Sequence, residues 1–184
     1  VIMTIQIFAI VDNCEHEILY QSSIFPGGEI HIRLNDDGIF GGDIQDAEDM
    51  IAIYAGLKNA NDIMTLLLVT DVIKMRWKNI PIVLTMPYCP YARQDRAANF
   101  GESLSLKVFC DLINSQHYAA VTVYDPHSDV ATALLNNCLV VPQHELLVKA
   151  VDFSCYEKNS KIYLVAPDAG ALKKSEKALS FLNE

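Results

Sequence analysis

Positive charge is scarce in this chain. Fourteen Lys and Arg stand against 23 Asp and Glu, for a net charge of −9. That balance excludes a general nucleic-acid binder, which needs a basic surface to neutralise phosphates. Long apolar runs are missing too, since nothing approaches the roughly 18 residues of a membrane span. The start, VIMTIQIFAIVDNCEHEIL, has no basic segment ahead of its apolar one and carries acid by Asp12, so no signal peptide is expected. The five cysteines, at 14, 89, 110, 138 and 155, are odd in number and form no CxxC pair. This speaks against a disulfide framework or a zinc site, and for reduced thiols in a cytoplasm. Neither GxGxxG nor GxxxxGK[ST] occurs, so the common glycine-built nucleotide cradles are absent. No Ser/His/Asp or Cys/His order sits at a recognisable elbow, and no covalent nucleophile is expected.

What is present begins with ample apolar material. Over 184 residues, 51% hydrophobic suffices for one sizeable core, or one domain plus part of a second. The first third reads as β-rich. TIQIFAI and HEILYQSSIF are short apolar runs, and GEIHIRLND alternates, with Ile30, Ile32 and Leu34 against His31, Arg33 and Asn35. FPGGE between them is a turn, DDGIFGGD a loop, and DMIAIYAGL a further strand. From Asn59 the period becomes helical. Ile63, Leu66, Leu67, Ile73 and Met75 form a stripe, with Asn59 or Asn61 as N-cap. Then IPIVLTM (80–86) reads as a buried strand, ESLSLKVFCDLINSQ as a helix capped by Ser103, and AAVTVYD (119–125) as another strand. A short helix near Ser128, a strand CLVVP, a helix behind Pro142, a strand over 161–166 and a final helix complete the pattern. Alternating apolar strands and helices predict an α/β fold: a mostly parallel sheet with helices on both faces, after an N-terminal β-hairpin.

In such sheets ligands bind beyond the carboxyl ends of the strands, and three polar constellations fall there. The strand at 80–86 runs into PYCPYARQDR. Arg93 and Arg96 offer fork-shaped donors suited to phosphate, Gln94 can read a base or sugar edge, and Asp95 can hold one arginine by pairing. The alternative is a surface salt-bridge cluster of little energetic weight. The next strand runs into Asp125-Pro126-His127; in extended backbone the carboxylate and imidazole would point to one side and share a hard cation such as Mg²⁺. A capping Asp beside a partly exposed His is the other reading. Pro167-Asp168-Ala169-Gly170 supplies a carboxylate and free backbone N–H groups, with Lys173, Lys174 and Lys177 on the helix behind. Phe25 and Glu29 in FPGGE form either a plain hairpin turn or a ring and carboxylate for a base.

Taken together, PYCPYARQDR, VYDPHS, VAPDAGALKKSEKAL, IFPGGEIHIRL and NDIMTLLLVTDVIK resemble the ribose-phosphate diphosphokinases, or phosphoribosyl pyrophosphate (PRPP) synthetases, from about Phe25 onward. The resemblance implies a phosphoribosyltransferase-like, Rossmann-like topology. It implies an ATP-side domain over 1–150, with 151–184 as the first strand and helix of a second, similar domain. It implies Mg²⁺-dependent transfer of the β,γ-diphosphoryl group of ATP to ribose 5-phosphate, in a cytoplasmic homo-oligomer. By carry-over, Arg93, Gln94, Asp95 and Arg96 would hold ATP. Phe25 and Glu29 would frame adenine across a subunit interface, and Asp125, His127 and Asp168 would hold the metal. The family's catalytic lysine and arginine, and its acidic ribose-5-phosphate loop, are expected beyond Glu184. Three departures stand out: Gly27 where the family has Asp, Pro90 where it has Gly, and Asn99-Phe100-Gly101 in place of a more basic stretch. A non-catalytic partner or regulator of such synthetases is the competing expectation.

Overall fold

The computed structural model describes residues 4–35, 49–150 and 163–182. The loop read at 36–43, Cys155 and the start of the expected last strand lie outside them. The chain forms two compact units, Val1–Val140 and Val141–Glu184.

The first unit is built on a six-stranded sheet. Strands β1 (Ile5–Val11) and β2 (Cys14–Glu17) form an antiparallel hairpin. Asp12 and Asn13 turn it with φ of 50° and 60°, the doubly left-handed backbone that matches strand twist and that Asp and Asn tolerate. On its other edge β1 pairs antiparallel with β5 (Met50–Ala55). Strands β5, β6 (Ile82–Met86) and β7 (Ala120–Tyr124) then run parallel, with Ile53 opposite Leu84 and Leu84 opposite Val121. β8 (Cys138–Val141) completes the sheet. The crossovers are α1 (Ala60–Arg76), α2 (Ser105–Asn114) and α3 (Asp129–Leu134).

Residues at every second strand position face one core: Ile5, Ile7, Ile51, Ile53, Leu84, Met86, Val121 and Val123 are all buried. They share it with Ile63, Leu66, Val69 and Ile73 of α1 and with Leu106, Phe109, Cys110 and Ile113 of α2. Both helices bury one stripe at helical spacing. The alternate strand residues Phe8, Val83, Thr85, Thr122 and Tyr124 are half-buried. Met75, expected on the α1 stripe, is instead 70% exposed; two residues past Ile73 is roughly 200° around the helix. Asn59 caps α1 in a reciprocal box with Asp62. Its side chain accepts the Asp62 N–H at 3.1 Å, and the Asp62 carboxylate accepts those of Asn59 at 3.2 Å and Lys58 at 2.8 Å. Ser103 does not cap α2. Leu104 occupies the cap position without a side-chain hydrogen bond, and the Ser103 hydroxyl pairs with that of Ser105 at 2.7 Å.

HEILYQSSIF divides between two sheets. β3 (Tyr20–Ile24) pairs with β4 (Ile30–Leu34) in a separate ribbon that packs on α1. Its turn is FPGGE, closed by the Phe25 N–H donating to Glu29 O at 2.9 Å and the Gly28 N–H to Phe25 O at 2.8 Å. Gly28 has φ of 95°, which glycine accepts at no steric cost.

In the second unit α4 (Gln143–Ala150) packs with α5 (Leu172–Leu182), and the His144 and Phe181 rings lie 4.8 Å apart. Residues 163–166, expected as a strand, carry none. Tyr163 and Val165 are 79% and 80% exposed. A strand exists by virtue of its ladder, and no described strand of this unit offers them one.

Candidate functional site

The loop after β6 is packed from beneath and polar on top. Cys89, Pro90 and Ala92 are buried. Tyr91, in left-handed backbone at φ 60°, sets its ring 6.1 Å from that of Phe109 on α2. The Gln94 N–H donates to Tyr91 O at 2.8 Å, and the Gln94 carbonyl accepts the Leu106 N–H at the start of α2. Arg93, Gln94 and Arg96 are left exposed. Burial, above all, pushes the Cys89 thiol up to about 12, so it stays protonated and unreactive at neutral pH.

Asp95 does not pair with an arginine as expected. Its carboxylate accepts the Ser128 hydroxyl at 2.6 Å, tying the loop after β6 to the one after β7. The Ser128 hydrogen bond foremost, with Arg96 and His127 nearby, holds the Asp95 carboxyl below the usual carboxylate range against partial desolvation. A depressed folded pKa contributes stability that is present above the unfolded value and lost as pH falls through the folded one. Ser128→Ala should therefore raise the Asp95 pKa toward the ordinary value of about 3.9, read by side-chain carboxyl NMR titration. An unchanged titration would show that the hydroxyl does not set it.

Asp125 has φ of 41°, so the extended backbone expected to align it with His127 is replaced by a left-handed turn that ends β7. Asp125 is half-buried and His127 exposed. Among the described residues no three His, Cys, Asp or Glu gather to hold a metal by themselves. Asp168, in the second unit, caps its own turn, accepting the Ala171 N–H at 2.9 Å. Phe25 (52% exposed) and Glu29 stand at the β3–β4 tip, and the Glu29 carboxylate occupies the space a Cβ at Gly27 would need.

Beyond β5 and β6 lies a cavity of about 320 Å³ walled by Lys58, Asn59, Tyr88, Tyr91, Arg93 and Gln94, over an apolar lining of Leu57, Ile63 and Pro90. No acidic side chain is among them. Phe25, Glu29 and His127 do not line it. A more apolar groove of about 520 Å³ shares Ile63 and Tyr91 with it. Lys58, Tyr88 and Tyr91 were not among the residues the sequence singled out. The signal for Lys58 was available: it follows strand β5 at the same sheet edge as Arg93 follows β6.

A family model described as the N-terminal domain of ribose phosphate pyrophosphokinase matches residues 10–116. The chain belongs to that family. A ribose-phosphate pyrophosphokinase of Saccharolobus solfataricus is 24% identical over 166 residues, covering 89% of this chain and 53% of the relative. One from Ureaplasma parvum is 32% identical over 134 residues, 68% of this chain and 38% of the relative. The crystal structure of phosphoribosylpyrophosphate synthetase from Mycobacterium smegmatis superposes with a TM-score of 0.69 at 21% identity, over 90% of this chain and 53% of that one. The chain thus spans about half the length of the curated relatives it matches. The family carries the expected α/β fold with its mostly parallel sheet. Among the described residues no helix is long and apolar enough to cross a membrane.

Proposed function

We propose that the chain forms the ATP-side portion of a ribose-phosphate diphosphokinase. In that reaction the 1-hydroxyl oxygen of ribose 5-phosphate attacks the β-phosphorus of ATP. The bond from that phosphorus to the oxygen bridging it to the α-phosphate breaks, AMP departs, PRPP forms, and the hydroxyl proton is released. Such transfers ask mainly for in-line positioning and neutralised charge. Arg93 presents its fork to phosphate and Gln94 its amide to the nucleotide. Arg96 adds a second cation. Asp95 positions the loop through Ser128 and need not touch ATP itself. Asp125 and His127 would hold Mg²⁺, which when bound neutralises phosphate charge; for Asp168, in the second unit, a metal-ligand role rests on the resemblance alone. Phe25 and Glu29 would frame adenine across a contact between two copies in a cytoplasmic homo-oligomer. Residues 151–184 would open a second, similar domain.

One observation carries this reading: the Asp95–Ser128 hydrogen bond joins the arginine loop to the His127 loop, beside a cavity whose described lining includes Lys58 and Arg93. Isothermal titration with ATP should give saturable binding that weakens when Mg²⁺ is chelated. No saturable heat at millimolar ATP would overturn the proposal.

A further inference from the structure

We propose, resting on the nucleotide reading above, that Lys58 is a further phosphate ligand in the Arg93 cavity, binding the polyphosphate of ATP.

The β5–α1 connection holds it in place. Leu57 is anchored in the core at 3% exposed. The Gly56 N–H donates to Thr4 O at 2.7 Å, and the Lys58 N–H is taken by the Asp62 carboxylate at 2.8 Å. Asp62 is spent on the α1 cap, accepting two backbone N–H groups, and does not line the cavity. The Lys58 side chain is exposed and lines that cavity together with Arg93 and Gln94. Among the described residues neither cation has a hydrogen-bond or ion-pair partner for its side chain.

In a chain of net charge −9, two cations without a partner among the described residues, lining one cavity with no acidic group among its described lining residues, repel each other unless an anion joins them. Asn59, on the same wall, is the N-cap of the 17-residue α1, whose dipole adds favourable potential for negative charge. The cavity volume is in the range that accepts small ligands. An ammonium on a flexible stem suits phosphate as a point charge, beside the fixed fork of Arg93. Phosphate could come from ATP or from ribose 5-phosphate. The placement beside Gln94 and Tyr91 favours the nucleotide, which has a base to accompany its phosphates.

The test is calorimetric titration of the wild-type chain, Lys58→Ala and Lys58→Arg with Mg-ATP, inorganic tripolyphosphate, adenosine and ribose 5-phosphate. Lys58→Ala should weaken ATP and tripolyphosphate by a common factor of about tenfold, as for one charge-assisted contact. It should leave any adenosine binding unchanged, and Lys58→Arg should recover most of the loss. Lys58 is exposed, so the melting temperature should not move. ATP and tripolyphosphate affinities within twofold of wild type in Lys58→Ala would overturn the inference alone. A loss confined to ribose 5-phosphate would likewise overturn it, by assigning Lys58 to the sugar phosphate. A wild-type chain that binds neither ATP nor tripolyphosphate would overturn both this inference and the nucleotide reading.

Discussion

Arg93→Ala should weaken Mg-ATP binding about 10- to 100-fold, the equivalent of about 1.5–3 kcal/mol for a hydrogen bond to a charged group. The reasoning is local. The guanidinium is exposed and lines the cavity, and no described residue engages it by hydrogen bond or ion pair. Its bonding capacity is therefore available to a ligand, and its removal leaves no buried partner stranded. The thermal midpoint should stay put while affinity falls. Arg93→Lys should recover only part of the loss, because lysine keeps the charge but not the planar fork. A large drop in melting temperature would recast Arg93 as structural. Unchanged affinity would remove it from the site.

The second large effect is on stability. Phe109 is 1% exposed, among the largest fully buried side chains, and its ring backs Tyr91 in the cavity wall. Phe109→Ala should cost about 3–5 kcal/mol, from lost burial plus the cavity left behind. Against a domain stability of about 5–15 kcal/mol, that is a substantial share, visible as a lower denaturant midpoint. Phe109→Leu keeps most of the volume and should cost far less. ATP binding measured on the folded fraction of Phe109→Ala should also fall, because Tyr91 holds a left-handed backbone (φ 60°) over the space that ring fills. A loss below about 1 kcal/mol would show that the α2 core closes without the ring. Full retention of ATP binding would show that the Gln94–Leu106 backbone bond alone holds the loop.

Strands β6 and β7 were legible because their apolar residues form short runs bounded by turn chemistry, and α1 because Asn59 and Asp62 write a cap directly before a helical stripe. The arginine loop was legible because its composition is too rich for a connector. Other features depend on what sequence spacing does not carry. The Asp95–Ser128 bond spans 33 positions, so local reading could only offer Asp95 its arginine neighbours. Asp125 turns left-handed where extension was expected, because one residue must redirect the chain at the end of β7 and Asp tolerates that backbone. Residues 163–166 look like a strand by composition, yet strand formation is a property of pairs. Lys58 belongs to no motif; its place after β5 sets it at the edge where Arg93 stands, and the cavity shows the two lining one space.

On the proposed function, the loops after β6 and β7 serve one nucleotide–metal site. The most direct test of this is NMR with Mn²⁺–ATP in place of Mg²⁺–ATP, since the paramagnetic ion broadens resonances near it. Amides of Arg93 to Arg96 and of Asp125, His127 and Ser128 should broaden together, and excess Mg²⁺–ATP should restore both sets. Broadening of one loop with the other left sharp, or broadening centred elsewhere, would contradict it.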